Sequence, residues 1–394
     1  MALIDKDLYV NNINFWDGLI PTKVYFGRDS RKHLKSLCTG KRILIISTKN
    51  GRLRFERDMF LEIKYLCKYL IWVDNVKSNP TLKDITVQSK LIRNKFDYII
   101  AFGGGSAIDS AKALSVLLKA KSNYTIGDLV MNSEIINEIE PIPLIAIPTT
   151  SGTGSEVTPF ATIWDSINKK KYSLLSDKLY PHVTFIDSEL TLNLNEEITI
   201  STGLDAINQA FESIWNRNAN HRTIRLATES LKLGIVALPK LIDLIRNNED
   251  SNYYRSMMAE SSLLAGMAIS KTRTALCHSI SYPITAYFNV PHGVACAFSM
   301  ASVLKLNIEA KDERFNQLAL DLGCQNIESL INIVDQLVLY CNVQDRIKSI
   351  VQKKEKLINI VDQMYTVNRA DNALFNVNKS IILNILHKSW DFVC

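Results

Sequence analysis

Tyr98-Ile99-Ile100-Ala101-Phe102-Gly103-Gly104-Gly105-Ser106-Ala107-Ile108-Asp109-Ser110-Ala111-Lys112 decides the fold. The opening apolar run reads as a strand covered on both faces, and it breaks on glycines into a segment that opens a helix. A buried strand turning on glycine into a helix is the repeating step of a doubly wound parallel sheet. Working outward, residues 42–46 (Arg-Ile-Leu-Ile-Ile), 70–73 (Leu-Ile-Trp-Val) and 144–147 (Leu-Ile-Ala-Ile) are further apolar strands, and residues 183–187 (Val-Thr-Phe-Ile-Asp) read as the last. After Leu190 the character changes. Residues 224–245 and 327–339 carry apolar side chains at a spacing near 3.6, and no comparable strand follows. The expected architecture is α/β plus all-α: a Rossmann-like doubly wound parallel sheet over residues 1–190 and an all-helical domain over 191–394. The boundary falls where Asp187-Ser188-Glu189-Leu190 leaves the last strand, with no repeat or low-complexity linker. The two domains are expected to pack around a shared cleft, the usual place for a ligand.

Bulk properties narrow the class. A chain of 394 residues with 47% hydrophobic composition is long enough for two buried cores, which excludes disorder over its whole length. The apolar runs are strand-sized, well short of the ~20 residues that cross a bilayer, so no membrane anchor is expected. Met1-Ala2-Leu3-Ile4-Asp5-Lys6-Asp7 has acidic residues and lacks the apolar core of a secretory signal. Seven cysteines without a C-x-x-C pair read as reduced thiols of a cytoplasmic protein. The net charge of +6 is spread thinly, with Lys169-Lys170-Lys171 and Lys353-Lys354 as its runs, so a solvated face rather than a nucleic-acid site is expected.

Two loops and one helical constellation carry candidate chemistry. In Gly103-Gly104-Gly105-Ser106 the missing Cβ atoms permit close approach, and the helix N-terminus offers N–H groups to an anion, for which a pyrophosphate is the natural guest. This is not the G-x-G-x-x-G fingerprint, and a plain strand-to-helix turn would look the same. Ile147-Pro148-Thr149-Thr150-Ser151-Gly152-Thr153-Gly154-Ser155-Glu156-Val157-Thr158 also follows a strand and crowds hydroxyls onto a flexible turn, suited to phosphate, ribose or a carboxamide. Two such loops at consecutive strand ends favour a nucleotide site over a pair of surface loops. In the helical half, Asp205 and Gln209 are four apart and share a helix face, while His278 and His292 flank Ser281-Tyr282-Pro283. A carboxylate, an amide oxygen and two imidazoles suit a divalent cation with one open position, although buried capping or core roles would place the same residue types.

At these residues the sequence resembles the iron-containing (group III) alcohol dehydrogenases: residues 103–112, 148–156, 203–206 and 278–293 match in order and spacing, within a likeness running from the Gly27 region to Arg369-Ala370-Asp371-Asn372. The resemblance implies an N-terminal dinucleotide-binding domain, a helical C-terminal domain, a dehydroquinate synthase-like architecture, NAD(P)H and a divalent metal, iron(II) or zinc, in the cleft, and a homodimer. Carried over by position, Asp205, His278 and His292 fall on metal-ligand sites, and Gln209 stands where the family usually has histidine. The amide oxygen of Gln209 can ligate, but it is a poorer partner than imidazole for a borderline metal. The two loops and the resemblance together place Thr48, Asn79, Gly104, Gly105, Ser106, Asp109, Thr149, Thr150, Thr153, Thr158 and Lys171 at the cofactor. Thr48 stands where members preferring NAD tend to have aspartate, so a 2′-phosphate is not repelled.

The implied reaction is hydride transfer between the nicotinamide and a small aldehyde or alcohol, with Tyr282, where many members have histidine, or water as proton donor. Residues 209–216 and 272–283 look most like the phosphonoacetaldehyde reductase (hydroxyethylphosphonate dehydrogenase) branch, and Lys271 and Arg273 are candidate clamps for a dianionic tail. Three alternatives stay open: a reductase of simple short-chain aldehydes or diols, a dehydroquinate synthase-like cyclase or lyase using NAD transiently, and a non-enzymatic dinucleotide-binding relative whose metal site has decayed at Gln209.

Overall fold

The computed structural model describes residues 18–92 and 94–392; the expectations drawn from Met1 to Asp7 and from the Cys394 thiol lie outside them. The chain divides into two compact units. The first comprises the described residues up to Thr150 with Ser155–Asp165 and Lys171–Leu192, and the second comprises Ser151–Gly154, Ser166–Lys170 and the described residues from Asn193 onward.

The first unit is built on strands β1 (Lys23–Phe26), β2 (Arg42–Ser47), β3 (Tyr69–Val73), β4 (Tyr98–Gly103), β5 (Leu144–Pro148), β6 (Phe160–Asp165), β7 (Lys170–Leu175) and β8 (Val183–Ile186). Six of them form one parallel sheet in the order β1-β8-β5-β4-β2-β3, and β6 pairs with β7 separately. The continuous apolar runs are explained by burial on both faces. Ile43, Ile45, Ile100, Phe102, Ile145 and Ile147 enter one core layer, while Leu44, Ile46, Ile99, Ala101, Leu144 and Ala146 enter the other. β1, β6 and β7 were not anticipated. β1 is a partly exposed edge strand and β7 begins on two lysines, so neither carries the doubly buried pattern. The order puts β2 between β3 and β4, so the winding reverses there and the loops leaving β2 and β4 part to opposite sides. Helix α1 (Gly105–Leu117) starts at that point.

The second unit is helical, and no strand occurs among the described residues after Leu192. Its central helix α2 (Glu196–Ile214) is capped by Asn195, whose Oδ1 accepts from Ile198 N–H at 2.9 Å, and it is buried without interruption from Gly203 to Ile214. Around it lie α3 (His221–Arg246), α4 (Asn252–Thr272), α5 (Leu276–Phe288) and α6 (His292–Glu309). Residues 224–245 fall inside α3, and residues 327–339 inside the helix Ile327–Tyr340, as their periodicity requires. No helix among the described residues is long and apolar enough to cross a membrane.

One acid in this unit links packing to pH. Burial, with Glu229 adding to it, pushes the Glu260 carboxyl up to about 7 from an ordinary 4.5. Between those two values the folded chain keeps a proton that the unfolded chain has lost, so stability falls as pH rises through the window. Glu260→Gln is expected to flatten that dependence and to raise stability at pH 8 by about 2 kcal/mol, after allowance for partial exposure. Urea unfolding of both proteins at pH 5 and pH 8 checks it, and parallel losses in the two would contradict it.

Candidate active site

In the first unit the sheet's C-terminal edge gathers the loop residues. Thr48 follows β2 and caps the next helix, its Oγ1 accepting from Gly51 N–H at 3.0 Å. Gly104 is the N-cap of α1 and brings no side chain to cover the first turn, as an anion-accepting helix end requires. Asn79 N–H donates to Ser106 Oγ at 3.2 Å, and Thr149 N–H donates to Gly103 O at 3.0 Å, so the loops after β3, β4 and β5 are tied together. A Cβ on Gly104 would stand 3.0 Å from Thr150 Oγ1, which shows how closely those two segments approach. Asn79, Gly104, Gly105, Ser106, Thr149 and Thr150 therefore form one cluster beside the switch point.

Two of the expected cofactor residues, Thr158 and Asp109, lie beneath that surface. Thr158 is fully buried, and its carbonyl and Oγ1 accept from Lys112 Nζ at 2.7 and 3.2 Å. Thr158 thus lies beneath the loop surface, where it receives the Lys112 ammonium. Lys112, also fully buried, donates further to Ser155 O and Phe160 O at 2.6 and 2.8 Å, and burial lowers its pKa to about 8. Asp109 accepts from Ser155 Oγ at 2.6 Å and from Thr162 N–H at 2.9 Å. Lys112 and Asp109 thus pin the hydroxyl-rich segment to α1. Lys171 lies half-buried on β7 and acts on the Asp109 carboxylate through its charge.

The second unit holds a denser constellation. Asp205, Gln209 and Glu212 lie on α2 at positions i, i+4 and i+7, which is one face. His278 lies in the first turn of α5, and His292 begins α6 with Cys296 one turn further on. Glu212 is the organiser, and sequence reasoning missed it. Its Oε2 accepts from Ala275 N–H at 2.6 Å and pairs with His278 Nδ1 at 2.7 Å, while Oε1 accepts from His278 N–H at 3.0 Å. A carboxylate from another helix therefore caps α5, whose own N-cap, Ala275, has no side chain able to do so. A carboxylate only accepts, so Nδ1 carries the proton and Nε2 turns its lone pair away from Glu212.

His278 Nε2 lies 3.3 Å from Asp205 Oδ1. Oδ1 is buried without a hydrogen-bond partner, as is Gln209 Oε1 on the same helix face. Gln209 is turned by its other end, Nε2 donating to Thr153 O at 3.4 Å. Burial resists the Asp205 charge, but His278, His292 and Gln209 outweigh it and hold its pKa below the ordinary value. Burial likewise opposes protonation of both imidazoles, and neighbouring Cys296 leads the groups that push them up. Donor atoms of Asp205, His278, His292 and Cys296 all lie within 4.8 Å of one another. In this buried site Asp205 Oδ1 and His278 Nε2 lie 3.3 Å apart without a hydrogen bond between them, and a divalent cation that displaces the imidazole's second proton would satisfy both. The residues fit a divalent metal on this ground.

Tyr282 flanks the constellation. Its ring stacks on His292 with centroids 6.0 Å apart and meets His278 edge-on at 6.3 Å, and its hydroxyl lies 3.3 Å from Thr274 Oγ1. The two candidate clamps separate. Lys271 is exposed at the end of α4, whereas Arg273 is partly buried with φ 65° and ψ 170°, a conformation that residues with a Cβ rarely adopt. Arg273 N–H donates to Ile269 O at 2.9 Å, and Arg273 O accepts from Asn216 Nδ2 and Thr272 Oγ1, each at 3.1 Å.

Comparison with known proteins agrees with this arrangement. The family model for iron-containing alcohol dehydrogenase matches residues 21–188, and that for the C-terminal part of the Fe-containing alcohol dehydrogenase family matches residues 199–390. The NADPH-dependent butanol dehydrogenase of Clostridium saccharobutylicum is 30% identical over 336 residues, covering 81% of this chain and 82% of the relative. The 1,3-propanediol dehydrogenase of Klebsiella pneumoniae is 30% identical over 325 residues, covering 80% and 81%. Among solved structures, an iron-containing alcohol dehydrogenase from Thermotoga maritima superposes with a TM-score of 0.81 at 28% identity, covering 95% of this chain and 99% of that one. With both of its halves matched and relatives of this similarity along its length, the chain belongs to the iron-containing alcohol dehydrogenase family.

Proposed function

We propose that the protein is a divalent-cation-dependent dehydrogenase that interconverts a small aldehyde and its alcohol with NAD(P)H. The observation that carries this reading is the buried, unpartnered Asp205 Oδ1 facing His278 Nε2, with His292 alongside. Bound by these three residues, iron(II) or zinc supplies Lewis acidity toward a carbonyl oxygen, and the dinucleotide supplies the hydride. Glu212 fixes the His278 tautomer that leaves Nε2 a lone pair. Gly104, Gly105, Ser106, Thr149 and Thr150 receive the pyrophosphate side of the dinucleotide at the switch point, with Asn79 holding Ser106 in place. Lys171 extends that surface, and Asp109 braces it from below. Thr48 presents no carboxylate, which admits NADPH as well as NADH, and the Clostridium relative is named for NADPH. Tyr282 holds the proton that completes the alcohol, its hydroxyl kept in place by Thr274.

The finer substrate reading is an aldehyde with an anionic tail, such as phosphonoacetaldehyde. Arg273 supports it, since a strained backbone of this kind costs roughly 1–3 kcal/mol and persists where the side chain's position has a use. A second reading, simple short-chain aldehydes or diols, is favoured by the names of the butanol and propanediol relatives.

Protein stripped of divalent cations should lose NAD(P)H oxidation with propanal and phosphonoacetaldehyde, and iron(II) or zinc should restore it. Arg273→Gly relieves the strain and is expected to raise KM for phosphonoacetaldehyde by roughly 10–100-fold while leaving propanal unchanged. Undiminished turnover without any cation would sink the metal reading, and a reaction that left the nicotinamide absorbance unchanged would favour the cyclase or lyase alternative. Equal KM values before and after Arg273→Gly would leave the dehydrogenase standing and remove the anionic tail.

A further inference from the structure

The constellation contains one donor that the three-residue ligand set does not use. Position 209 offers a neutral amide where the resemblance leads one to expect an imidazole, and a few ångströms away Cys296 brings a buried thiol into the same group. We propose that Cys296 Sγ ligates the cation together with Asp205, His278 and His292, taking over the coordination that position 209 has lost, and that the centre therefore selects thiophilic cations such as zinc over iron(II). This rests on the divalent-cation reading above.

The distances support an N₂OS set. With metal–nitrogen and metal–oxygen bonds of about 2.05 Å and a metal–sulfur bond of about 2.3 Å, tetrahedral angles separate an oxygen from a nitrogen by about 3.3 Å and a sulfur from a nitrogen by about 3.6 Å. The structure has 3.3 Å between Asp205 Oδ1 and His278 Nε2, and 3.7 Å between Cys296 Sγ and His292 Nε2. The local sequence explains the pairing, since His292 and Cys296 are four residues apart on α6 and so present their side chains on one face. Gln209 is the rival ligand. Its Oε1 is unpartnered, but a neutral amide oxygen is a hard, weak donor, whereas a thiolate adds charge and softness and shifts preference toward zinc and cobalt. A substrate oxygen would then enter by expansion to five-coordination.

Cobalt(II) is the probe, loaded onto metal-stripped full-length protein. The parent should show visible bands of a low-symmetry four-coordinate ion together with a sulfur-to-cobalt charge-transfer band in the near ultraviolet. Cys296→Ser should lose the charge-transfer band, keep the visible ones and remain folded by circular dichroism; Gln209→Ala should keep both. In chelator competition, Cys296→Ser should weaken zinc by more than the roughly 10–100-fold that loss of an outer hydrogen-bond partner costs, and weaken manganese(II) far less. One cobalt per chain without the charge-transfer band, or an unchanged zinc-to-manganese preference in Cys296→Ser, overturns the thiolate ligand while leaving the divalent centre intact. A parent chain that binds neither cobalt nor zinc overturns both.

Discussion

Glu212→Gln is expected to empty the centre of its cation without removing a single ligand. The native carboxylate accepts from Ala275 N–H, from His278 N–H and from His278 Nδ1. An amide has one accepting oxygen and one donating NH₂, so it cannot accept from all three. If the oxygen takes the place of Oε1 it keeps His278 N–H, while the NH₂ faces both Ala275 N–H and Nδ1, and the imidazole must move its proton to Nε2, toward Asp205. The proton then sits where the cation should. If the oxygen takes the place of Oε2 it keeps Ala275 N–H and Nδ1, but the NH₂ then faces the backbone N–H of the ligand His278 itself, which loses its cap and is left an unpaired buried donor, costing about 1–3 kcal/mol and displacing the ligand. Either way the cation's affinity should fall by at least ~10–100-fold, with turnover at limiting cation falling in proportion. Metal content after dialysis, read beside kcat at saturating cation, checks it. A variant that binds its cation like the parent would show that the tautomer of His278 is not set by Glu212.

The same residue shows where sequence reasoning stops. The doubly buried strands were legible because sheet burial writes itself into adjacent residues, and the helix placing Asp205 four residues from Gln209 was legible for the same local reason. Glu212 is one further turn along that helix, but its partners begin 63 residues away, and only the folded chain brings them to it. Cys296 was closer to hand, four residues from His292 on a helix that the sequence did not delimit. Thr158 shows a different limit. It sits in a motif crowded with hydroxyls, and nothing local distinguishes one that faces a ligand from one that receives Lys112 from beneath. The carbonyls of Ser155, Thr158 and Phe160 surround the Lys112 ammonium, which ties the hydroxyl-rich segment to α1.

Gly293 is the position where a single added carbon should cost most. It follows His292 in the first turn of α6, and a Cβ there would stand 1.7 Å from Ser201 O, 2.8 Å from Ser201 C and 3.0 Å from Asp205 N. All three are backbone atoms of α2, so no rotamer change clears the overlap and one helix must move off the other. The same contact sets the spacing between His292 and Asp205, and a shift large enough to admit the methyl group would pull the imidazole away from its partners. Gly293→Ala is therefore expected to destabilise the second unit by about 3 kcal/mol or more, beyond ordinary overpacking, and to abolish tight cation binding. Thermal unfolding separates the two effects when run with and without added zinc. The parent's midpoint should rise with the cation, since only the folded state assembles the ligands, and the variant's lower midpoint should not. A variant that melts with the parent and gains the same increment from zinc would mean that α6 does not need to lie this close to α2, and the close approach could no longer be credited with aligning His292.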